Sequence, residues 1–66
     1  MTLQINGETR EIEAVTNVAE LVATLKLPAP AILVEHNGTA LRPDEWRSRT
    51  LSENDCIELV RIVAGG

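Results

Sequence analysis

Asn-Gly occurs twice in this chain, at Asn6-Gly7 between short runs that alternate apolar with polar residues, and at Asn37-Gly38 after the β-type run Ala31 to His36. A two-residue hairpin turn needs positive φ at both central positions, and Asn-Gly supplies it with little strain. Two hairpins are therefore expected, residues 2–5 with 9–13 and residues 31–36 with 39–41. Leu3, Ile5 and Ile12 would face inward. Between the hairpins, Asn17 precedes Glu20 by three residues, the spacing of a capping box, and Val18, Leu21, Val22 and Leu25 follow at i, i+3, i+4 and i+7. This spacing predicts one helix. It should stop near Lys26-Leu27, because Pro28 and Pro30 lack backbone donors and push the residues before them toward extended conformations.

After the second hairpin, Pro43-Asp44-Glu45-Trp46 reads as a single helical turn opened by proline. Trp46 is expected to plug one end of the core. Ser52 to Asp55 is a polar turn, and Cys56 to Val63 is the last and most apolar strand. In a strand, alternate residues share a face, so Ile57 and Leu59 would enter the core while Glu58, Val60 and Ile62 lie opposite. The order strand, strand, helix, strand, strand, strand predicts an α+β fold in which one helix covers one face of a mixed sheet of four to five strands. Pairing the first strand with the last, centrally and in parallel, leaves the hairpins outside; this is the ubiquitin-like β-grasp arrangement. A single helix leaves the other sheet face open. Val60 and Ile62 on that face suggest an interface, since contiguous exposed apolar residues usually mark one.

A chain of 66 residues is expected to form one domain, burying only about 60% of the surface its unfolded form exposes, with no room for an internal active-site cavity. Trp46 is the sole aromatic residue, which argues against stacking on bases. Ten acidic against six basic residues give a net charge of −4, the wrong sign for a phosphate backbone and a favourable one for a partner with a basic docking surface. Nucleic acid is not an expected ligand. The one cysteine, Cys56, cannot form an internal disulfide, and no leader-like segment or stretch of about 20 apolar residues is present. A cytoplasmic protein that is monomeric on its own and makes no membrane contact is expected.

Catalytic machinery is hard to assemble from these residues. His36 is the only histidine and has no metal-ligand companions, so it is read as a strand-end or surface residue and no metal site is expected. Cys56, beside the negative charge of Asp55, is read as a small strand-packing residue and not a nucleophile. The Asn-Gly pairs are read as turn chemistry and nothing more. The carboxylates are spread through turns and solvent faces. What remains is the end of the sequence, "VRIVAGG". Glycine is about 7% of residues, so two at the last two positions would arise by chance on the order of 0.5% of the time. Residues without Cβ can thread a channel too narrow for side chains and leave a carboxylate open to another enzyme. Such a carboxylate becomes an electrophile once it is adenylated, and a sulfur or nitrogen nucleophile can then displace AMP.

The segments "INGETREIEAVTNVAELVATLKL", "ILVEHNGTALRPDEW" and "LSENDCIELVRIVAGG" cover nearly the whole chain. Their ordered set of turn, Val-Ala-Glu-Leu helix, Asn-Gly-x-x-Leu hairpin, Trp46, Asp55 and terminal Gly65-Gly66 resembles the ThiS family of sulfur carriers for thiamin thiazole synthesis. The resemblance implies a protein that is no enzyme itself and binds no cofactor. It implies that a ThiF-like E1 enzyme adenylates the Gly66 carboxylate with Mg-ATP, and that a persulfide donor such as a cysteine desulfurase supplies the sulfur of a Gly66 thiocarboxylate. Thiazole synthase, ThiG, would receive that sulfur. Gly65 and Ala64 would thread the tail, residues 63–66 would project from the domain, and Val60, Ile62 and Val63 would dock the partner. Carriers for molybdopterin, tRNA thiolation or cysteine synthesis, and ubiquitin-like modifiers, share this ending. A β-grasp interaction module without terminal chemistry is the rival from a different class.

Overall fold

A computed structural model describes residues 1–62; the expectations for Val63, Ala64, Gly65 and Gly66 fall outside the described residues. Five strands and one α-helix form along the chain: β1 (Thr2–Ile5), β2 (Glu8–Glu11), α1 (Val18–Thr24), β3 (Ile32–His36), β4 (Thr39–Leu41) and β5 (Cys56–Arg61). The sheet order is β2-β1-β5-β3-β4. As expected, β5 is central. It runs parallel to β1, with Gln4 opposite Cys56 and Ile5 opposite Ile57, and antiparallel to β3, from Ile32 opposite Arg61 to His36 opposite Ile57. Both Asn-Gly turns have the positive φ they require, 51° at Asn6 and 49° at Asn37.

Strand β2 stops at Glu11, two residues short of the expected Glu13. The ladder with β1 ends where Thr2 pairs with Glu11, and the Met1 carbonyl accepts one further bond from the Ile12 N–H at 2.8 Å. Strand β3 likewise starts one residue late. Ala29–Ala31 forms a 3-10 turn, closed by the Ala31 N–H on the Pro28 carbonyl, where an extended entry was expected. A second 3-10 turn, Pro43–Glu45, follows β4 as the opening proline predicts, and the Glu45 carboxylate accepts from the Arg42 N–H at 2.7 Å.

Helix α1 is short, and its two ends are closed by named groups. Asn17 Oδ1 accepts from the Glu20 N–H at 2.9 Å, whereas Glu20 reaches one residue past the expected capping-box partner, to the Thr16 N–H at 2.6 Å. At the other end, the Lys26 N–H bonds the Ala23 carbonyl and the Leu27 N–H bonds the Val22 carbonyl. That pair of bonds is a Schellman closure, with Lys26 at φ 56° in the position usually given to glycine. The helix lays Val18, Leu21 and Val22 against Leu3, Ile5, Ile32, Val34 and Ile57 of the sheet. Trp46 is 5% exposed and belongs to this core, and its indole N–H has no partner among the described residues.

Candidate functional site

The face of the sheet opposite α1 is set by strand phase. In β3, Ile32, Val34 and His36 point into the core, so Leu33 and Glu35 point out. In β5, Ile57 is buried and Leu59 half-buried, and Cys56, Glu58 and Val60 point out with Ile62 following in phase. The antiparallel register then places Leu33 opposite Val60 and Glu35 opposite Glu58. Leu33 and Val60 are each 55% exposed and Ile62 is 46% exposed. These three are the exposed large apolar side chains of the described residues, and they gather at the end of β5 from which the chain continues to the diglycine.

Val60 and Ile62 therefore lie where their phase predicts, on one open face. Val63, Ala64, Gly65 and Gly66, the rest of the expected docking and terminal residues, are outside the described residues. Ile62 is beyond the last strand pair, although its N–H still bonds the Ala31 carbonyl at 2.6 Å. Leu33 was missed. The unbroken apolar run Ile32-Leu33-Val34 contains the signal, since a strand with one buried face must leave one of these residues outside, but it becomes readable only once β3 is known to be β5's neighbour.

The Glu35–Glu58 pair is the electrostatic feature of this face. Directly opposed like charges weaken a sheet by roughly 0.2–1 kcal/mol. Neither carboxylate has an ion-pair partner among the described residues. A cation from outside would relieve the repulsion.

Several readings of single residues are corrected by the structure. His36 is a strand-end residue but not a surface one: it is 5% exposed. Arg49 Nε–H donates to its Nδ1 at 2.8 Å, so the ring carries its proton on Nε2 and donates to Asp55 Oδ2 at 2.7 Å. Asp55 also accepts from the Asn37 amide at 3.1 Å and from the Ser52 N–H at 2.8 Å. Burial acts to raise the Asp55 pKa, but the hydrogen bonds from His36, Asn37 and Ser52 outweigh it and hold the carboxyl below its usual range. Cys56 does not pack in the core; it is exposed on the open face, because Ile57 takes the inward phase.

The asparagines of the two turns also do more than turn the chain. Asn6 Oδ1 accepts from the Leu59 N–H at 2.8 Å and its Nδ2 donates to the Leu59 carbonyl at 3.2 Å. The side-chain amide thus imitates the peptide group that β1 no longer supplies. Asn37 Oδ1 accepts from the Cys56 N–H at 2.8 Å. Both asparagines clamp β5, the strand that leads to the candidate terminus. Among the described residues no group of three His, Cys, Asp or Glu side chains could hold a metal ion, and no helix is long and apolar enough to cross a membrane.

A five-stranded mixed sheet with central parallel β1 and β5, one covering helix and one open face defines a ubiquitin-like β-grasp protein. The ThiS family model matches residues 3–66, and the chain belongs to the ThiS family. Among solved structures it is similar to the crystal structure of the thiamine biosynthesis protein ThiS from Geobacter metallireducens, at 30% identity over 100% of both chains with a TM-score of 0.86. It is similar also to the NMR solution structure of a thiamine biosynthesis protein from Geobacter metallireducens, at 30% identity over 100% of this chain and 88% of that one, with a TM-score of 0.83. No curated protein matches the sequence.

Proposed function

We propose that this protein is a sulfur carrier whose Gly66 carboxylate is activated and converted to a thiocarboxylate that supplies the thiazole sulfur of thiamin. ThiS-family membership over residues 3–66 supports the carrier role. The observation that supports the partner step is the open face of β5, where Leu33, Val60 and Ile62 stand beside the opposed Glu35 and Glu58, next to the sequence Val63-Ala64-Gly65-Gly66. On this reading a ThiF-like E1 enzyme docks there and uses Mg-ATP to form the Gly66 acyl-adenylate, releasing pyrophosphate. The terminal sulfur of a persulfide then displaces AMP, and a second thiol cleaves the S–S bond to leave the thiocarboxylate. ThiG takes the sulfur. None of the domain's side chains is required to donate or accept a proton in these steps.

The test is intact-protein mass spectrometry after incubation with the cognate E1-like enzyme, Mg-ATP and a persulfide source. Replacement of one oxygen by sulfur at Gly66, dependent on ATP and absent from a variant lacking Gly66, is the expected result. An unchanged mass, with the enzyme active on another carrier, would sink the proposal. The exposed Leu33–Val60 pair alone favours a second reading, a plain interaction module; it expects a C-terminal tag to be harmless.

A further inference from the structure

The helix-side face carries a second feature with the opposite charge. Past the end of α1, between residues 25–28 and the sheet, lies a groove of about 470 Å³. Ile5, Leu25, Leu27, Pro28, Ile32 and Leu59 form the apolar part of its wall. Leu25, Leu27 and Leu59 are only half-buried, so this end of the core is open to solvent.

Three cations stand on the rim: Arg10 from β2, Lys26 from the helix closure and Arg61 from the end of β5. Each is placed by its backbone. Arg10 lies opposite Leu3 and Arg61 opposite Ile32, so both are in phase with the inward side of the sheet, and the φ of 56° at Lys26 turns the chain at the groove's edge. The chain has six basic residues in all, so half of them gather here in a protein of net charge −4. None of the three has an ion-pair partner among the described residues. Glu8, opposite Ile5, is on the same face of β2 and does not line the groove.

From this juxtaposition we infer that the groove is a second protein-docking site, which takes an acidic segment of a partner with an aliphatic side chain as its anchor. The cations come from three separate elements around an apolar wall, which suits carboxylates spaced along a peptide better than one compact anion. Arg61 is adjacent in sequence to Ile62, so the groove and the open face meet at the end of β5, one basic and the other acidic. A partner or pair of partners can therefore grip this strand end from both sides. The inference needs no terminal chemistry and stands apart from the carrier reading.

The experiment is titration of the isotope-labelled full chain, followed by amide resonances, with a synthetic peptide of Asp and Glu residues flanking two leucines. Amides of Leu27, Leu59 and Arg61 should shift, those of Leu33 and Glu35 should not, and binding should weaken with added salt. The variant R10E/K26E/R61E should bind at least about tenfold more weakly. If it loses its dispersed spectrum, R10Q/K26Q/R61Q provides the same comparison with less repulsion. Peptides with serine for leucine, or lysine for the acids, should fail to bind. Equal binding by the charge variants would overturn the inference, as would the same shifts with inorganic pyrophosphate alone. Shifts at both faces when the protein is concentrated without peptide would also overturn it, assigning the groove to a second copy.

Discussion

Glycine would act in opposite directions at two left-handed positions, Asn6 and Lys26. At Lys26 a long side chain occupies φ 56° and makes no ion pair among the described residues that fixes it there. Lys26→Gly should therefore raise stability by about 0.5–1 kcal/mol, relief of left-handed strain outweighing the extra freedom of the unfolded chain. At Asn6, φ 51° is equally suitable for glycine, but the side chain holds both polar groups of Leu59. Asn6→Gly should lower stability by about 1–2 kcal/mol, from the two lost bonds and the added chain freedom. Urea denaturation of both variants checks the signs. The positive φ of Asn6 and Asn37 was legible in the sequence because a neighbouring glycine announces it. That of Lys26 was not, since the helix end was read from the prolines alone. The clamp on β5 was equally hidden, because it joins residues 53 apart along the chain.

Among the elements, β5 carries both the strongest sequence signal and the candidate site. Its alternation foretold which of its residues point outward, and the same logic placed Leu3 and Ile5 inward. What alternation does not give is a strand's neighbour, and Leu33 and Glu35 matter only because β3 is antiparallel to β5 in this register. Glu35→Lys should stabilise the free domain by roughly 0.2–1 kcal/mol by turning a like pair into an opposite one. If the proposed E1-like enzyme docks on the open face, the same change should slow modification of the terminus, because that face loses acid. A variant that is more stable and equally well modified would remove Glu35 from the interface. Val60→Lys should leave the melting temperature nearly unchanged, as expected for a side chain 55% exposed, while reducing modification at least tenfold.

At the scale of the whole molecule, Asp55 links the ends of distant segments: the turn at Ser52, the end of β3 through His36, and the second hairpin through Asn37. Its carboxyl titrates lower in the folded protein than in the unfolded chain, so its contribution is complete above the unfolded value of 3.8 and is lost as pH falls through the folded one. The melting temperature should thus decline from about pH 4 downward. Asp55→Asn should lower it at neutral pH by the equivalent of about 1–3 kcal/mol and flatten part of that acid decline. Differential scanning calorimetry from pH 2 to 7, a window set by the carboxylate range, reads both effects. The buried polar network escaped the sequence reading because a lone histidine carries no partner signal. Its parity with Ile32 and Val34 was the available clue.

The parallel pairing of β1 with β5 also has a mechanical consequence. The chain enters β1 at one end of the paired strands and leaves β5 at the other, so tension between Met1 and Ile62 runs along the strands. Under such a load the bonds from the Gln4 N–H to the Asp55 carbonyl, from the Asn6 N–H to the Ile57 carbonyl and from the Leu59 N–H to Asn6 Oδ1 bear force together, as a sheared joint, instead of opening one after another as a zipper. The domain is built to resist traction from the end that a partner would hold.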